Sequence, residues 1–159
     1  QDKLPEITYW LMGSFTSATY HKILIGSPFI LVGIAIIYLL RWRLNILALS
    51  EDEAKASGID LKKTRRIFIL ASTIITASAV SMCGQVGWIG LLIPHCARML
   101  VGSNNRYVVP VSISLGASFM ILIDTLSRTL SVIELPLSVL TAIIGAPVFI
   151  SLLNRSNLR

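Results

Sequence analysis

Long apolar runs dominate this sequence and limit the folds open to it. The clearest run, Ile23–Leu40, has 18 residues without a charge, which would form a helix about 27 Å long, close to the hydrocarbon thickness of a bilayer. Three further runs, Ile67–Cys83, Tyr107–Ser127 and Leu137–Leu153, contain one charged residue between them. Only 14% of the chain is charged, against about 25% in soluble domains. The sequence therefore predicts an all-α, polytopic membrane helical bundle, because helices satisfy their own backbone groups in lipid.

A fifth apolar run, Trp88–Ala97, would be only about 15 Å long as a helix, and it follows a cluster of glycines. Flexible backbone at membrane depth is tolerated where protein or a water-filled cavity covers it, and transporters use discontinuous helices in this way. We therefore expect a translocation pathway lined by Gly84, Gln85, Gly87, Gly90, Pro94 and His95. For His95, a structural hydrogen-bonding role is the alternative. Proline also predicts breaks in two runs, at Pro94 and at Gly145–Pro147.

The distribution of basic residues predicts the topology. If Trp88–Ala97 crosses as a short or broken helix, the chain makes five crossings, and residues 41–66, 98–106 and 154–159 share one side. These segments hold seven, two and two of the fourteen Lys and Arg residues, whereas a single span over 67–97 would leave only eight together. The positive-inside rule favours five crossings with the 41–66 segment and the C-terminus in the cytoplasm. The same blocks between apolar runs argue against nucleic-acid binding, despite the net charge of +6.

The charged segment 41–66 predicts a short, well-capped helix at its centre. Ser50 and Glu53 have the spacing of a capping box, Glu51 adds negative charge at the helix N-terminus, and Gly58 offers a left-handed stop. An apolar patch, residues 46–49, precedes the cap. Because a polar loop between spans needs neither feature, we expect a partner to dock on a set comprising Leu47, Ala48, Leu49, Ser50, Glu51, Glu53, Ala54 and Gly58.

Motifs for chemistry are absent from the sequence. It contains no P-loop, no His-Glu-x-x-His and no Gly-x-Ser-x-Gly, so we expect no ATP binding of the P-loop kind, no catalytic residues and no cofactor. Cys83 and Cys96 lack the spacing of a metal site and are predicted to be small buried hydrophobes. Asp124 and Arg128 are spaced i,i+4, which predicts a local ion pair, although an ionisable residue near membrane depth also suggests a function.

Three blocks of sequence resemble one known family. They are GWIGLLIPHCARMLVGSNNRYVVPVS, ILIDTLSRTL and ELPLSVLTAIIGAPVFISLL, and in this order they look like the C-terminal half of FecCD/BtuC-type permeases, the membrane subunits of ABC importers for iron chelates, haem and vitamin B12. The segment LALSEDEAKASGI lies where that family has its coupling helices and resembles the EAA-type loop of importers. The resemblance runs from about Leu4 to Leu153, and a complete member has about ten spans.

The resemblance implies a single permease domain over residues 1–159, with 41–66 as its cytoplasmic coupling segment, in the cytoplasmic (inner) membrane. The implied partners are a cytoplasmic ATP-binding subunit, a second permease copy, membrane lipid and an extracytoplasmic binding protein that docks at Arg128 and Glu134. The expected cargo is an iron chelate or a similar metal complex. Since the chain opens QDKLPEI, we interpret it as the C-terminal part of a longer polypeptide or a separately made half.

One alternative of a different class fits the residues. A membrane scaffold or sensor would use the 41–66 helix to recruit a cytoplasmic partner without transporting anything. Glycine and proline breaks within the spans favour transport, because a passive anchor would be expected to keep its helices whole. An intramembrane enzyme ranks third, since no catalytic constellation supports it.

Overall fold

The computed structural model describes residues 3–130, 132 and 135–157. Four of the helices in this part of the chain are long and apolar enough to cross a membrane, and a fifth apolar helix is shorter. The prediction of an all-α bundle with one short crossing is therefore confirmed. The α-helices are α1 Lys3–Met12, α2 Tyr20–Leu39, α3 Glu51–Ala56, α4 Leu61–Cys83, α5 Ile89–Val101, α6 Asn105–Leu130 and α7 Leu137–Ser156, with 3-10 turns at Phe15–Ser17, Arg41–Leu44 and Ile46–Ala48.

Helices α2, α4, α5, α6 and α7 run through the bundle in alternating directions, and the contacts between their ends identify the two ends of the bundle. At one end, here named the α3 end, the backbone after α2 meets the start of α6, where Arg41 Nε donates to the Arg106 carbonyl at 3.0 Å. At the other, named the α1 end, the Ser14 amide donates to the Cys83 carbonyl at the close of α4, at 2.8 Å. Helix α7 starts at the α1 end, where the Leu137 amide donates to the Gly13 carbonyl at 3.0 Å.

Helix α5 is the short crossing. Residues 84–88 leave the α1 end as non-helical chain, and the helix begins only at Ile89. A Cβ on Gly145, two turns into α7, would lie 3.3 Å from Trp88 Cβ, so α5 starts inside the bundle rather than at its edge. Further along, the His95 ring meets Phe149, which shows that α5 and α7 run side by side in the same direction. The structure thus has the five-crossing arrangement that the basic residues favour.

Helices α2 and α4 pack closely because α2 carries glycine at the contact. A Cβ on Gly33 would lie 2.5 Å from Ile75 Cγ1, and one on Gly26 would lie 2.8 Å from Met82 Sδ. These glycines are seven residues apart, which places them on one face of α2. Small residues let helices approach in lipid, and α4 contributes the buried Ala71, whose carbonyl oxygen would lie 3.1 Å from a Cβ on Gly33.

Hydrogen bonds to backbone carbonyls join three elements at the α1 end. The Gln85 amide donates to the Trp10 carbonyl at 3.4 Å, and the Ser138 hydroxyl donates to the Met12 carbonyl at 2.6 Å. Gly13 makes the junction possible, because its φ is +70° and a Cβ there would lie 2.3 Å from the Gln85 carbonyl oxygen. The end of α1 therefore ties the end of α4 to the start of α7.

Burial within the chain is small. In α2, α4 and α6, 11% of the most apolar window is buried, so most of the span surface is left for lipid or for further helices. The main cluster of buried apolar side chains is Ile123, Leu137 and Leu140, between α6 and α7. Nearby, the Ser127 hydroxyl donates to the Leu135 carbonyl at 2.6 Å, which fixes the chain as it enters α7.

The helices differ from the apolar runs and from the predicted breaks in three places. Helix α4 begins at Leu61 rather than Ile67, because the Asp60 carboxylate accepts the Lys62 and Lys63 amides and caps it. Helix α5 continues through Pro94, and α7 continues through Pro147 without the predicted break. A proline inside a helix removes one hydrogen bond, and neighbouring helices in a membrane protein can compensate for that loss.

Candidate functional site

The capped helix α3 forms as predicted. The Ser50 amide donates to Glu53 Oε2 at 3.1 Å, and the Glu53 amide donates to Ser50 Oγ at 3.4 Å, which is the reciprocal capping box. The Ser50 hydroxyl also donates to Glu53 Oε2 at 2.9 Å, and this hydrogen bond, followed by the one from the Ser50 amide, lowers the pKa of the Glu53 carboxyl. Gly58 has a φ of +74°, which is the left-handed conformation expected of a helix stop.

The predicted docking residues divide into an inner and an outer group. Ala54 is completely buried and α3 contacts α4, so Ala54 holds α3 against its own chain. Leu49 is 44% exposed, in extended backbone between the 3-10 turn and α3. The outer group is exposed and comprises Ala48, Leu49, Ser50, Glu51, Glu53 and Gly58, with Leu47 half-buried. The α3 end therefore presents an apolar side chain beside an acidic first turn.

The predicted pathway glycines are not equivalent. Gly84 is buried, has a φ of +76°, and a Cβ there would lie 2.2 Å from the Trp10 carbonyl oxygen. Gly87 and Gly90 have open space where a Cβ would be. Gln85, the residue after Gly84, is exposed. The non-helical segment is thus anchored by Gly84 and is open around Gly87 and Gly90.

Trp88 marks the point where the non-helical segment becomes helix α5. Its φ of +62° is the one positive value for a residue other than glycine in the described part of the chain. Such a conformation costs about 1–3 kcal/mol and persists where the surroundings impose it. Gly145 packs against the Trp88 side chain and so contributes to that constraint. Neither Trp88 nor Gly145 was among the predicted pathway residues, because a positive φ at a tryptophan depends on contacts that are distant in the sequence.

Pro94 and His95 lie on different sides of α5. His95 stacks edge-on against Phe149, with ring centroids 5.5 Å apart, and its Nε2 is buried without a hydrogen-bond partner among the described residues. Pro94 lines an apolar cleft of about 580 Å³ between α2, α4 and α6, with Arg98 at the same wall. The residues predicted to line one pathway therefore do not all face one space.

Arg128 forms the predicted ion pair with Asp124 near the end of α6. Its Nε lies 3.1 Å from Oδ2 and 3.2 Å from Oδ1 of that carboxylate. The Arg128 side chain is nevertheless 52% exposed, so its guanidinium remains accessible at the α1 end. Glu134, the other predicted docking residue, lies outside the described residues.

Comparison with known proteins identifies the family. The profile of the FecCD transport family matches residues 1–155. The chain belongs to this family. Among curated relatives it is 45% identical to the molybdate import system permease protein MolB of Haemophilus influenzae, over 94% of this chain and 44% of that protein. It is 35% identical to the Fe(3+) dicitrate transport system permease protein FecC of Escherichia coli, over 98% of this chain and 47% of that one.

A solved structure agrees with this family fold. An inward-facing ABC transporter of metal-chelate type superimposes with a TM-score of 0.94 and 43% identity, over 98% of this chain and 50% of its own. The chain therefore spans about half the length of the relatives it matches. Its sequence resemblance to FecCD/BtuC-type permeases is confirmed.

Proposed function

We propose that this chain is the C-terminal part of a permease subunit of an ABC importer and forms one wall of its translocation pathway. The observation that carries the proposal is the start of α5 inside the bundle, at Trp88, after a non-helical segment with open space around Gly87 and Gly90. Non-helical backbone at membrane depth is expected only against protein or a water-filled cavity. Membership of the FecCD transport family supports the same role.

Energy would reach this chain through the α3 end. A cytoplasmic ATP-binding subunit would seat the exposed Leu49 in a groove and meet the acidic first turn of α3, while the buried Ala54 keeps α3 in place. The cargo we favour is an iron chelate or similar metal complex. The relatives' names mention molybdate, Fe(3+) dicitrate and cobalamin, so an oxyanion is the competing cargo. A second permease copy and an extracytoplasmic binding protein would complete the assembly in the inner membrane.

The coupling role is tested with Leu49→Glu in the full-length permease co-expressed with its ATP-binding subunit. We expect the affinity of the two subunits to fall by about tenfold or more, because a charge would replace an apolar side chain that the partner's groove would bury. Leu49→Met should retain binding, since it keeps an apolar side chain. Ser103→Glu is the matched control, because it adds the same charge at another exposed position of the α3 end. Equal co-purification of Leu49→Glu and the controls would refute the docking surface.

The pathway role is tested by thiol accessibility in full-length protein lacking Cys83 and Cys96. Cysteines at Gln85 and Ile89 should react with a water-soluble maleimide at a rate that depends on ATP, because they lie in residues 85–90, here named the open segment, where there is free space around Gly87 and Gly90. A cysteine at His95 should react more slowly, since that side chain packs on Phe149. Protection of both Gln85→Cys and Ile89→Cys in every nucleotide state would mean that the segment is ordinary packing, as the scaffold alternative requires.

A further inference from the structure

Asn45 makes a pair of long-range hydrogen bonds at the α3 end. It lies between the two 3-10 turns of the charged segment, just before the apolar patch and α3. Its Nδ2 donates to Asn104 Oδ1 at 2.8 Å, and its Oδ1 accepts the Asn105 amide at 2.9 Å. Asn104 lies in the turn that joins α5 to α6, and Asn105 is the first residue of α6. A single side chain thus links the coupling segment to the start of α6.

The orientation of the Asn45 amide is fixed by its partners. A backbone N–H can only donate, so the atom that faces the Asn105 amide must be the acceptor Oδ1, and Nδ2 then faces Asn104. Asn104 Oδ1 also accepts the Arg106 amide at 3.0 Å. The first amides of a helix have no partner within it, and Asn45 and Asn104 together satisfy two of those of α6.

A second contact holds the other end of the same stretch. Arg41 Nε donates to the Arg106 carbonyl at 3.0 Å, and its guanidinium lies 4.0 Å from the centre of the Tyr38 ring at the end of α2. Residues 41–45 therefore bridge α2 and the start of α6. Beyond the turn, α5 has 13 residues, a rod of about 20 Å that reaches the non-helical segment at Trp88.

We propose that Asn45 is a positioning residue that makes the α5–α6 turn follow the coupling segment. This rests on the proposed function, because it assumes that a nucleotide-driven subunit displaces α3. A displacement of α3 is carried through Asn45 to Asn104 and Asn105, and along α5 to the open segment of the pathway. Without the Asn45 amide, α3 still docks and moves, but only Arg41 still joins the segment to the start of α6, so the turn follows α3 less closely.

The test measures the distance between the coupling segment and the turn by pulsed electron paramagnetic resonance. Nitroxides are attached at Lys55→Cys on α3 and Ser103→Cys in the turn, both exposed, in full-length permease with its ATP-binding subunit and without Cys83 and Cys96. Spectra are compared in nucleotide-free and ATP–vanadate states. With Asn45 present, the distance should be the same in both states. In Asn45→Ala it should shift by about 2 Å or more, the scale of helix displacements at interfaces, or its distribution should broaden.

Asn105→Ala is the matched control. The Asn105 side chain makes no hydrogen bond within the described part of the chain, and alanine keeps the backbone amide that Asn45 binds. This variant should behave as the unsubstituted protein does. An unchanged distance in Asn45→Ala, with the ATP-binding subunit still bound, overturns the role of Asn45 and leaves the proposed function standing. Failure of the unsubstituted permease to bind that subunit would instead overturn the proposed function, and with it this inference.

Discussion

Replacing Gly84 with alanine should destabilise the protein far more than the same change at Gly87. The two glycines are three residues apart in the same non-helical segment, and each substitution adds one methyl group. At Gly84 the backbone has φ +76° and ψ −169°, a region that is essentially restricted to glycine and costs about 1–3 kcal/mol for other residues. The added methyl would also lie 2.2 Å from the Trp10 carbonyl oxygen, and that atom is backbone and cannot rotate away.

Relief of that collision would require α1 and the end of α4 to separate. Their separation would weaken the hydrogen bonds that join Ser14 to Cys83 and Gln85 to Trp10. Overpacking of a filled site costs about 1–3 kcal/mol, so with the backbone strain we expect Gly84→Ala to cost at least about 2 kcal/mol. Gly87→Ala meets nothing within 4 Å and has no positive φ, so it should change stability by less than about 0.5 kcal/mol, like other unobstructed changes.

The comparison is made on full-length permease in one detergent, by the midpoint of thermal unfolding. Gly84→Ala should unfold at a clearly lower temperature than Gly87→Ala. Gly87→Ala should instead alter the thiol reactivity of Gln85→Cys, because it narrows the open segment. Equal unfolding temperatures for the two variants would refute the assignment of Gly84 to a packed junction.

Three further predictions concern the ends of the bundle. Ser50→Ala should destabilise α3 by about 1 kcal/mol, because it removes a helix cap, as measured by hydrogen exchange of the Glu53 amide. Because the folded pKa of Glu53 is lowered from its ordinary value of 4.5, its stabilising effect is present above that pH and is lost as the pH falls through the folded pKa. The protection factor of this amide, which is the intrinsic exchange rate relative to the observed rate at the same pH, should therefore fall on acidification, and less so in Glu53→Gln. At the other end, Arg128→Glu should weaken binding-protein association in a salt-dependent manner, whereas Asp124→Asn, the control for loss of the ion pair, should leave it intact. Equal loss of binding-protein association in Arg128→Glu and Asp124→Asn would mean that the ion pair has a structural role, and would refute docking at Arg128.

The spans and the cap could be predicted from sequence because both rest on local information. An uncharged run of 18 residues such as Ile23–Leu40 has few structures open to it in lipid, and the capping box involves residues three apart, Ser50 and Glu53. Boundaries were less accurate where one polar side chain decided them. Asp60 starts α4 six residues before the apolar run, which hydropathy alone does not indicate.

Long-range packing explains what the sequence could not predict. Gly84, Gly87 and Gly90 look alike in sequence, yet Gly84 is distinguished by the carbonyl of Trp10, more than seventy residues earlier. Asn45 likewise lies in a stretch with no recognisable motif, and its partners are 59 and 60 residues away. Predicting either role requires knowing which helix ends meet.

The shortness of α3 explains why its sequence signals are so clear. A helix of six residues is well below the roughly twelve to fifteen at which isolated helices become stable in water, so local contacts must supply what length does not. The capping box satisfies its first amides, the buried Ala54 fixes it to its own chain, and Gly58 ends it. A coupling element must also transmit displacement without melting. Each of these contacts would therefore serve coupling as well as stability, and a substitution such as Ala54→Glu, which buries a charge, would unfold α3 and could not distinguish lost docking from a lost helix.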